Sequence, residues 1–230
     1  MSQQTKGLPE VGLRLMRRLA RGYFDRRWDI HLRGQGYVPT DGPVILASNH
    51  IGWLDGPLMF VTAPRPAHAM VKEEEFVGRT GHLLRFVGQI KTARGRNDTG
   101  AVRRAVQALR AGQCVLIYPE GLRGDGEFHV FKHGVAYLAL VTGAPVVPVA
   151  IVGTRLAGEP ADARPAKGAR VDVVYGEPIR FPMQEWPRDR GMIEDAGEKI
   201  LDHLRTHVSR AQSVLKRELP GPLPTGTPDV

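Results

Sequence analysis

Val44-Ile45-Leu46-Ala47-Ser48-Asn49-His50-Ile51-Gly52-Trp53-Leu54-Asp55-Gly56-Pro57 carries the chain out of one regular element and into another. The apolar run Val44–Ala47 follows the turn Thr40-Asp41-Gly42-Pro43 and reads as a buried strand. Pro57 suits the first turn of a helix, where a missing N–H is no loss. The polar residues between lie at a strand's carboxyl end, where open α/β sheets hold their ligands. The alternation continues downstream. A short strand is expected within Phe86–Thr92 and a helix over Thr99–Ala111, stopped by Gly112. A strand over Val115–Tyr118, a helix over Phe131–Thr142 and strands over Val146–Val152 and Val171–Tyr175 come next. Residues 154–169 read as a Gly/Pro/Ala-rich loop and Glu185–Glu218 as a long charged helical segment. This pattern predicts an α/β fold, a largely parallel central sheet flanked by helices.

Upstream, the segment of about residues 8–32 reads as a helix up to Phe24, after which the pattern loosens. Leu13, Met16, Leu19, Ala20, Tyr23 and Phe24 are linked by three- and four-residue steps, with Arg14, Arg17, Arg18 and Arg21 on the other side. Such a basic amphipathic helix fits an interfacial membrane anchor, with Tyr23, Phe24 and Trp28 in the interface. It equally fits a helix packed on its own domain with solvated arginines. The formal net charge is +8, and residues 11–36 hold seven arginines against Asp25 and Asp29, so most of the excess lies there. That charge could address nucleic acid, an anionic membrane or a phosphorylated substrate. Aromatic RNA-binding strings and zinc-knuckle spacings are absent, so no nucleic-acid partner is expected.

Val135–Gly153 is uncharged and nominally long enough to span a bilayer, but Gly143-Ala144-Pro145 and Pro148 divide it into a helix and a strand. The start is polar and lacks the apolar core of a signal peptide. The single cysteine, Cys114, sits in an apolar run and reads as a buried thiol in a reducing compartment. The expected location is cytoplasmic, peripheral to the cytoplasmic membrane.

His50 and Asp55 stand five residues apart, which on a regular helix would turn them about 140° from each other. Gly52 and Gly56-Pro57 supply a turn through which they could meet. A carboxylate on one imidazole nitrogen fixes the tautomer and frees the other nitrogen to take a proton. The spacing also fits a histidine capping a helix beside an N-terminal aspartate. Tyr118-Pro119-Glu120-Gly121-Leu122-Arg123 again comes after a strand. Its glycine permits close approach of backbone to ligand, and its arginine offers a fork for phosphate oxygens. Phe131-Lys132-His133-Gly134 adds a second cation, whereas Asp125-Gly126-Glu127 has too few ligands for a calcium loop. Lys91, Arg94 and Arg96 read either as a solvated edge or as further phosphate ligands. Neither a Gly-x-Ser-x-Gly elbow nor a cysteine near a base is present to serve as a covalent nucleophile.

In this order the pieces resemble the glycerolipid acyltransferase family, whose best-known members acylate 1-acylglycerol-3-phosphate. Asn49-His50 through Asp55 resembles the family's His-x4-Asp motif, and Gly88-Gln89-Ile90 leading to Arg94 its second block. Tyr118–Arg123 with Phe131-Lys132-x-Gly134 resembles the third block, and Val146-Val147-Pro148-Val149-Ala150 the fourth. Met70–Glu74 and Tyr175–Ile179 fit weaker family patterns, and the likeness covers roughly residues 36–180.

The resemblance implies transfer of a fatty acyl group from acyl-CoA or acyl carrier protein to the free hydroxyl of 1-acylglycerol-3-phosphate, giving phosphatidic acid. It implies His50 as general base with Asp55 holding its ring, and Arg94, Glu120, Gly121, Arg123 and Lys132 as substrate-binding residues. Backbone amides near Gly121 or at a helix N-terminus are the expected oxyanion donors. No metal or cofactor is called for beyond the thioester co-substrate. The implied organisation is a basic amphipathic N-terminal helical segment over 1–35, an acyltransferase catalytic domain over 36–218 and a disordered tail over 219–230. Two departures fall where the family handles the acceptor: Ala93 replaces the usual aspartate and Leu122 the usual threonine. Another lysophospholipid or lipid acceptor is therefore the alternative, with thioester hydrolysis a third possibility. A basic peripheral membrane-binding protein is the non-enzymatic one.

Overall fold

The computed structural model describes residues 6–93, 98–184 and 189–224. Its elements run α1 (Val11–Arg27), β1 (Asp29–Arg33), β2 (Val44–Ser48), α2 (Asp55–Thr62), β3 (Ala67–Lys72), α3 (Gly78–Phe86) and β4 (Ile90–Thr92). The chain continues through α4 (Thr99–Arg110), β5 (Cys114–Ile117), α5 (Gly134–Thr142), β6 (Val146–Val152), β7 (Arg170–Tyr175) and α6 (Arg190–Leu215). The strands form one seven-stranded sheet in the order β1-β7-β6-β2-β5-β3-β4. Neighbours are parallel except β6 and β7, so β1 and β7 run against the other five.

Both faces of the sheet are covered. Ile45, Ala47, Val115 and Ile117 pack under α4, α5 and α6, while Val44, Leu46, Cys114 and Leu116 pack under α1 and α2. Strands buried on both sides read as unbroken apolar runs, which is why β2, β5 and β6 are visible in the sequence. Cys114 is fully buried, and burial pushes its thiol up to about 12. That protonated thiol is an inert filler of the core.

Several expectations are corrected. The N-terminal helix runs to Arg27, past Phe24 where the pattern loosens, and Asp29–Arg33, not expected as a strand, forms an edge strand with its partner at Arg170–Val174. Residues 78–86 form α3, leaving only Ile90–Thr92 as the strand sought over Phe86–Thr92. The helix sought from Phe131 starts at Gly134, and β3 had no counterpart in the expectations. The uncharged stretch 135–153 folds as α5 and β6, separated by Gly143 at φ 65°. Among the described residues no helix is long and apolar enough to cross a membrane. Residues 219–224 are packed rather than disordered: Pro220 is buried, and the Leu219 amide donates to Gln212 Oε1 at 3.1 Å. Residues 225–230, and the start of the long helix expected from Glu185, lie outside the described residues.

Helix α1 has two apolar faces. Leu13 and Phe24 turn inward and, with Trp28 beyond the helix end, are buried, which removes Phe24 and Trp28 from the expected interface. Val11, Leu15, Leu19 and Tyr23, spaced four apart, are exposed instead, Val11 by 81% and Leu19 by 65%. Gly12 lets Phe86 at the end of α3 approach closely, since a Cβ there would lie 2.5 Å from the Phe86 carbonyl. The exposed Leu83 and Phe86 thus lie on the helix that docks against α1.

Candidate active site

The site lies at the carboxyl ends of β2 and β5. Beyond β2, the buried Asn49 side chain imitates one more strand residue: its Nδ2 donates to the Ile151 carbonyl at 2.9 Å and its Oδ1 accepts from the Ile151 amide at 2.8 Å. This fixes the backbone leading into His50. The chain then bends through residues 51–54 before α2 begins at Asp55, so the pair meets as no continuous helix would allow. Asp55 Oδ2 lies 2.8 Å from His50 Nδ1 and accepts the amides of Ile51 at 2.7 Å and Gly52 at 2.9 Å. Its Oδ1 accepts the hydroxyl of Thr154. Glycine is required at 52, where a Cβ would lie 2.9 Å from the Thr154 carbonyl.

With Nδ1 held by Asp55, Nε2 is the nitrogen of His50 left to take a proton. The half-buried imidazole stacks on Tyr118, ring centroids 4.1 Å apart and planes 20° from parallel. The backbone of His50 ties two loops together: its amide donates to Glu120 Oε1 at 2.9 Å, and its carbonyl accepts from the Gly124 amide at 2.8 Å. Burial outweighs that hydrogen bond on Glu120 and pushes its carboxyl up to about 8.

Gly121 has φ 72°, and a Cβ there would lie 2.4 Å from Lys132 Nζ, so the lysine covers the glycine. The Gly121 amide donates to the Tyr118 carbonyl at 2.9 Å, which removes it from the expected oxyanion donors. Arg123 Nε is buried and unpartnered among the described residues. The arginine lines a cavity of about 230 Å³ with Glu120, Leu122, Asp125, Val130 and Leu223. The structure therefore brings His50, Asp55, Glu120, Gly121, Arg123 and Lys132 to one edge of the sheet. Arg94 lies outside the described residues; Asp98 caps α4, accepting from the amides of Ala93 at 2.7 Å and Ala101 at 2.9 Å. Lys91 pairs with Glu73 at 3.1 Å in the open, a contact of little energetic weight. His129 Nε2 lies 3.1 Å from Asp125 and 3.4 Å from Glu127.

Two residues escaped the sequence reading, Thr154 and Arg155, both inside the stretch taken as loop. Arg155 is 2% exposed and, among the described residues, bonds only backbone: Ile51 at 2.7 Å, Gly124 at 2.8 Å, Gly221 at 2.7 Å and Glu159 at 3.1 Å. One guanidinium thus supports the loop after His50 and the loop after Glu120. The available signal was position: β6 is parallel to β2, so residues just past Val152 open on the same edge.

A family model described as Acyltransferase matches residues 29–152. The chain is 29% identical over 181 residues to 1-acyl-sn-glycerol-3-phosphate acyltransferase of Limnanthes alba, covering 76% of this chain and 62% of that one. It is 31% identical over 122 residues to lyso-ornithine lipid O-acyltransferase of Pseudomonas aeruginosa, covering 52% and 46%. Among solved structures, 1-acyl-sn-glycerophosphate acyltransferase PlsC of Thermotoga maritima matches with a TM-score of 0.59 at 23% identity, covering 84% of this chain and 78% of that one. The likeness to that structure is one of fold. The matched regions span 37% to 62% of the length of the first curated relatives.

Proposed function

Because the chain belongs to the acyltransferase family, we propose that it moves a fatty acyl group from acyl-CoA or acyl carrier protein to the free hydroxyl of 1-acylglycerol-3-phosphate, giving phosphatidic acid. The observation that carries this reading is the His50–Asp55 contact of 2.8 Å beside Lys132 and the unpartnered Nε of Arg123. An alcohol, with a pKa of about 16 like that of water, attacks a thioester at neutral pH only if its proton leaves during attack. His50 Nε2 takes that proton as the oxygen adds to the thioester carbonyl. The tetrahedral intermediate collapses, the thiolate leaves, and the imidazolium returns a proton to it. Asp55 orients the ring and stabilises its cation. Arg123, Lys132 and Arg94 hold the acceptor phosphate, or phosphates of the donor, and Glu120 shapes the loop that carries Arg123.

A second acceptor has its own support. Leu122, standing where the family usually has threonine, lines the cavity beside Arg123, and one relative is named for lyso-ornithine lipid. The catalytic residues serve either acceptor unchanged.

Attachment to an anionic membrane surface is the third part of the proposal. It is supported by the exposed apolar row of α1 and by a cavity of about 300 Å³ lined by Arg14, Arg17, Arg18, Arg21, Val61 and Pro66. Each cation near such a surface contributes about 1 kcal/mol.

The test is thiol release from palmitoyl-CoA by the purified protein, with and without 1-acylglycerol-3-phosphate, beside His50→Ala. Acceptor-dependent release that disappears in the variant is expected. Release indifferent to the acceptor would mean hydrolysis. Full activity in His50→Ala would end the general-base assignment.

A further inference from the structure

The C-terminal segment lines the cavity that holds Arg123, through Pro222 and Leu223. Helix α6 ends where Lys216, at φ 53°, reverses the chain. Four anchors then hold residues 217–221 in place. Arg217 Nη1 donates to Asp172 Oδ2 at 2.6 Å, the Leu219 amide donates to Gln212 at 3.1 Å, Pro220 is buried, and the Gly221 carbonyl accepts from Arg155 at 2.7 Å. The last of these anchors belongs to the guanidinium that also supports Ile51 and Gly124, so the segment shares its footing with both loops of the site.

The cavity that results has two characters. Arg123, with its buried and unpartnered Nε, Glu120 and Asp125 give it charge. Leu122, Val130, Pro222 and Leu223 give it an apolar side, and Val130 remains 55% exposed. A desolvated guanidinium nitrogen with no partner among the described residues, beside open hydrocarbon surface, matches an amphiphile whose charge sits next to its chain.

We propose that Pro222 and Leu223 wall an acceptor subsite, one that takes the glycerol-proximal methylenes of a monoacyl phospholipid while its phosphate meets Arg123. These two residues lie beyond residue 152, where the family-model match ends. The ligand's identity rests on the acyl-transfer reading, whereas the wall rests on the packing of 217–223. Arg155 acts through that wall as a positioning residue and touches no substrate.

The test uses the full chain with Leu223→Ala and Leu223→Trp, exchanges at a partly exposed position that leave the core intact. Steady-state kinetics with 1-oleoylglycerol-3-phosphate below its micelle concentration are paired with equilibrium binding of the same lipid without donor. Filling the subsite with tryptophan is expected to raise the acceptor KM and Kd about 10-fold. The alanine variant should raise both about threefold, with kcat and the donor KM held within about twofold. Acceptor KM and Kd unchanged in both variants, or a change confined to the donor KM, would overturn the proposal. If the wild type transfers acyl groups and the variants behave like it, the wall is wrong and the activity stands. If the wild type binds the lipid without transferring, and tryptophan weakens that binding, the wall stands and the activity falls.

Discussion

Asp55 is fully buried, yet its two oxygens accept from two amides and one hydroxyl and lie against the imidazole of His50. In the proposed reaction that carboxylate holds the imidazole while the ring gains charge, and the three donors fix the carboxylate in place. Thr154→Val removes one donor and leaves the volume nearly unchanged. It should lower kcat about 10-fold with acceptor KM moved less than about twofold, measured by steady-state kinetics across pH. A loss that appears in KM alone would assign the hydroxyl to binding. His50, Asp55, Glu120 and Arg123 were legible because each belongs to a short contiguous motif. Thr154 was not, because it meets Asp55 from 99 positions away. Arg155 was invisible for a further reason: its partners are backbone carbonyls, and a carbonyl carries no residue type.

At the scale of elements, α1 divides its circumference in three: an inward seam, an arginine stripe and an outward apolar row. The sequence signals amphipathicity but cannot tell a seam from a row, since both are apolar. Burial assigns Leu13 and Phe24 to the seam and leaves Leu15 and Leu19 outside. Leu15→Asp together with Leu19→Asp should therefore abolish flotation with anionic liposomes at low salt while changing Tm by no more than a few degrees. Exposed positions rarely carry much stability. Binding that survives this pair but disappears at high salt would leave the arginines alone responsible. The strands obey the same logic. Those buried on both faces were found to within a residue or so, whereas β1, with both end residues exposed, and the three-residue β4 have no face to impose a pattern.

For the whole molecule, two of the titratable groups that folding buries have opposite consequences. The Glu120 carboxyl is raised to about 8 in the fold from about 4.5 when unfolded, so the folded state holds the extra proton between those values. Its contribution to stability is complete below about pH 4.5 and is lost as pH rises through about 8. His68, fully buried with its Nδ1 2.8 Å from the Gly88 carbonyl, is lowered by desolvation. Its contribution is present above about 6.5 and is lost as pH falls through its lower folded value. Tm should therefore decline from about pH 7 toward pH 8.5 by an amount equivalent to at most a few kcal/mol, and Glu120→Gln should flatten that limb. A slope identical in wild type and variant would assign it to other groups.

The pairing of β1 with β7 also has a meaning in time. Asp29–Arg33 leaves the ribosome early, and its partner Arg170–Val174 emerges more than a hundred residues later. At roughly 5–20 residues per second the interval is on the order of 10 s. During that wait α1 is tethered to a strand with no sheet to join, and both of its apolar faces are open. On the proposed membrane attachment, a nascent chain in that condition meets a lipid surface before it meets its own core, and birth order gives that surface first claim on the N-terminal helix.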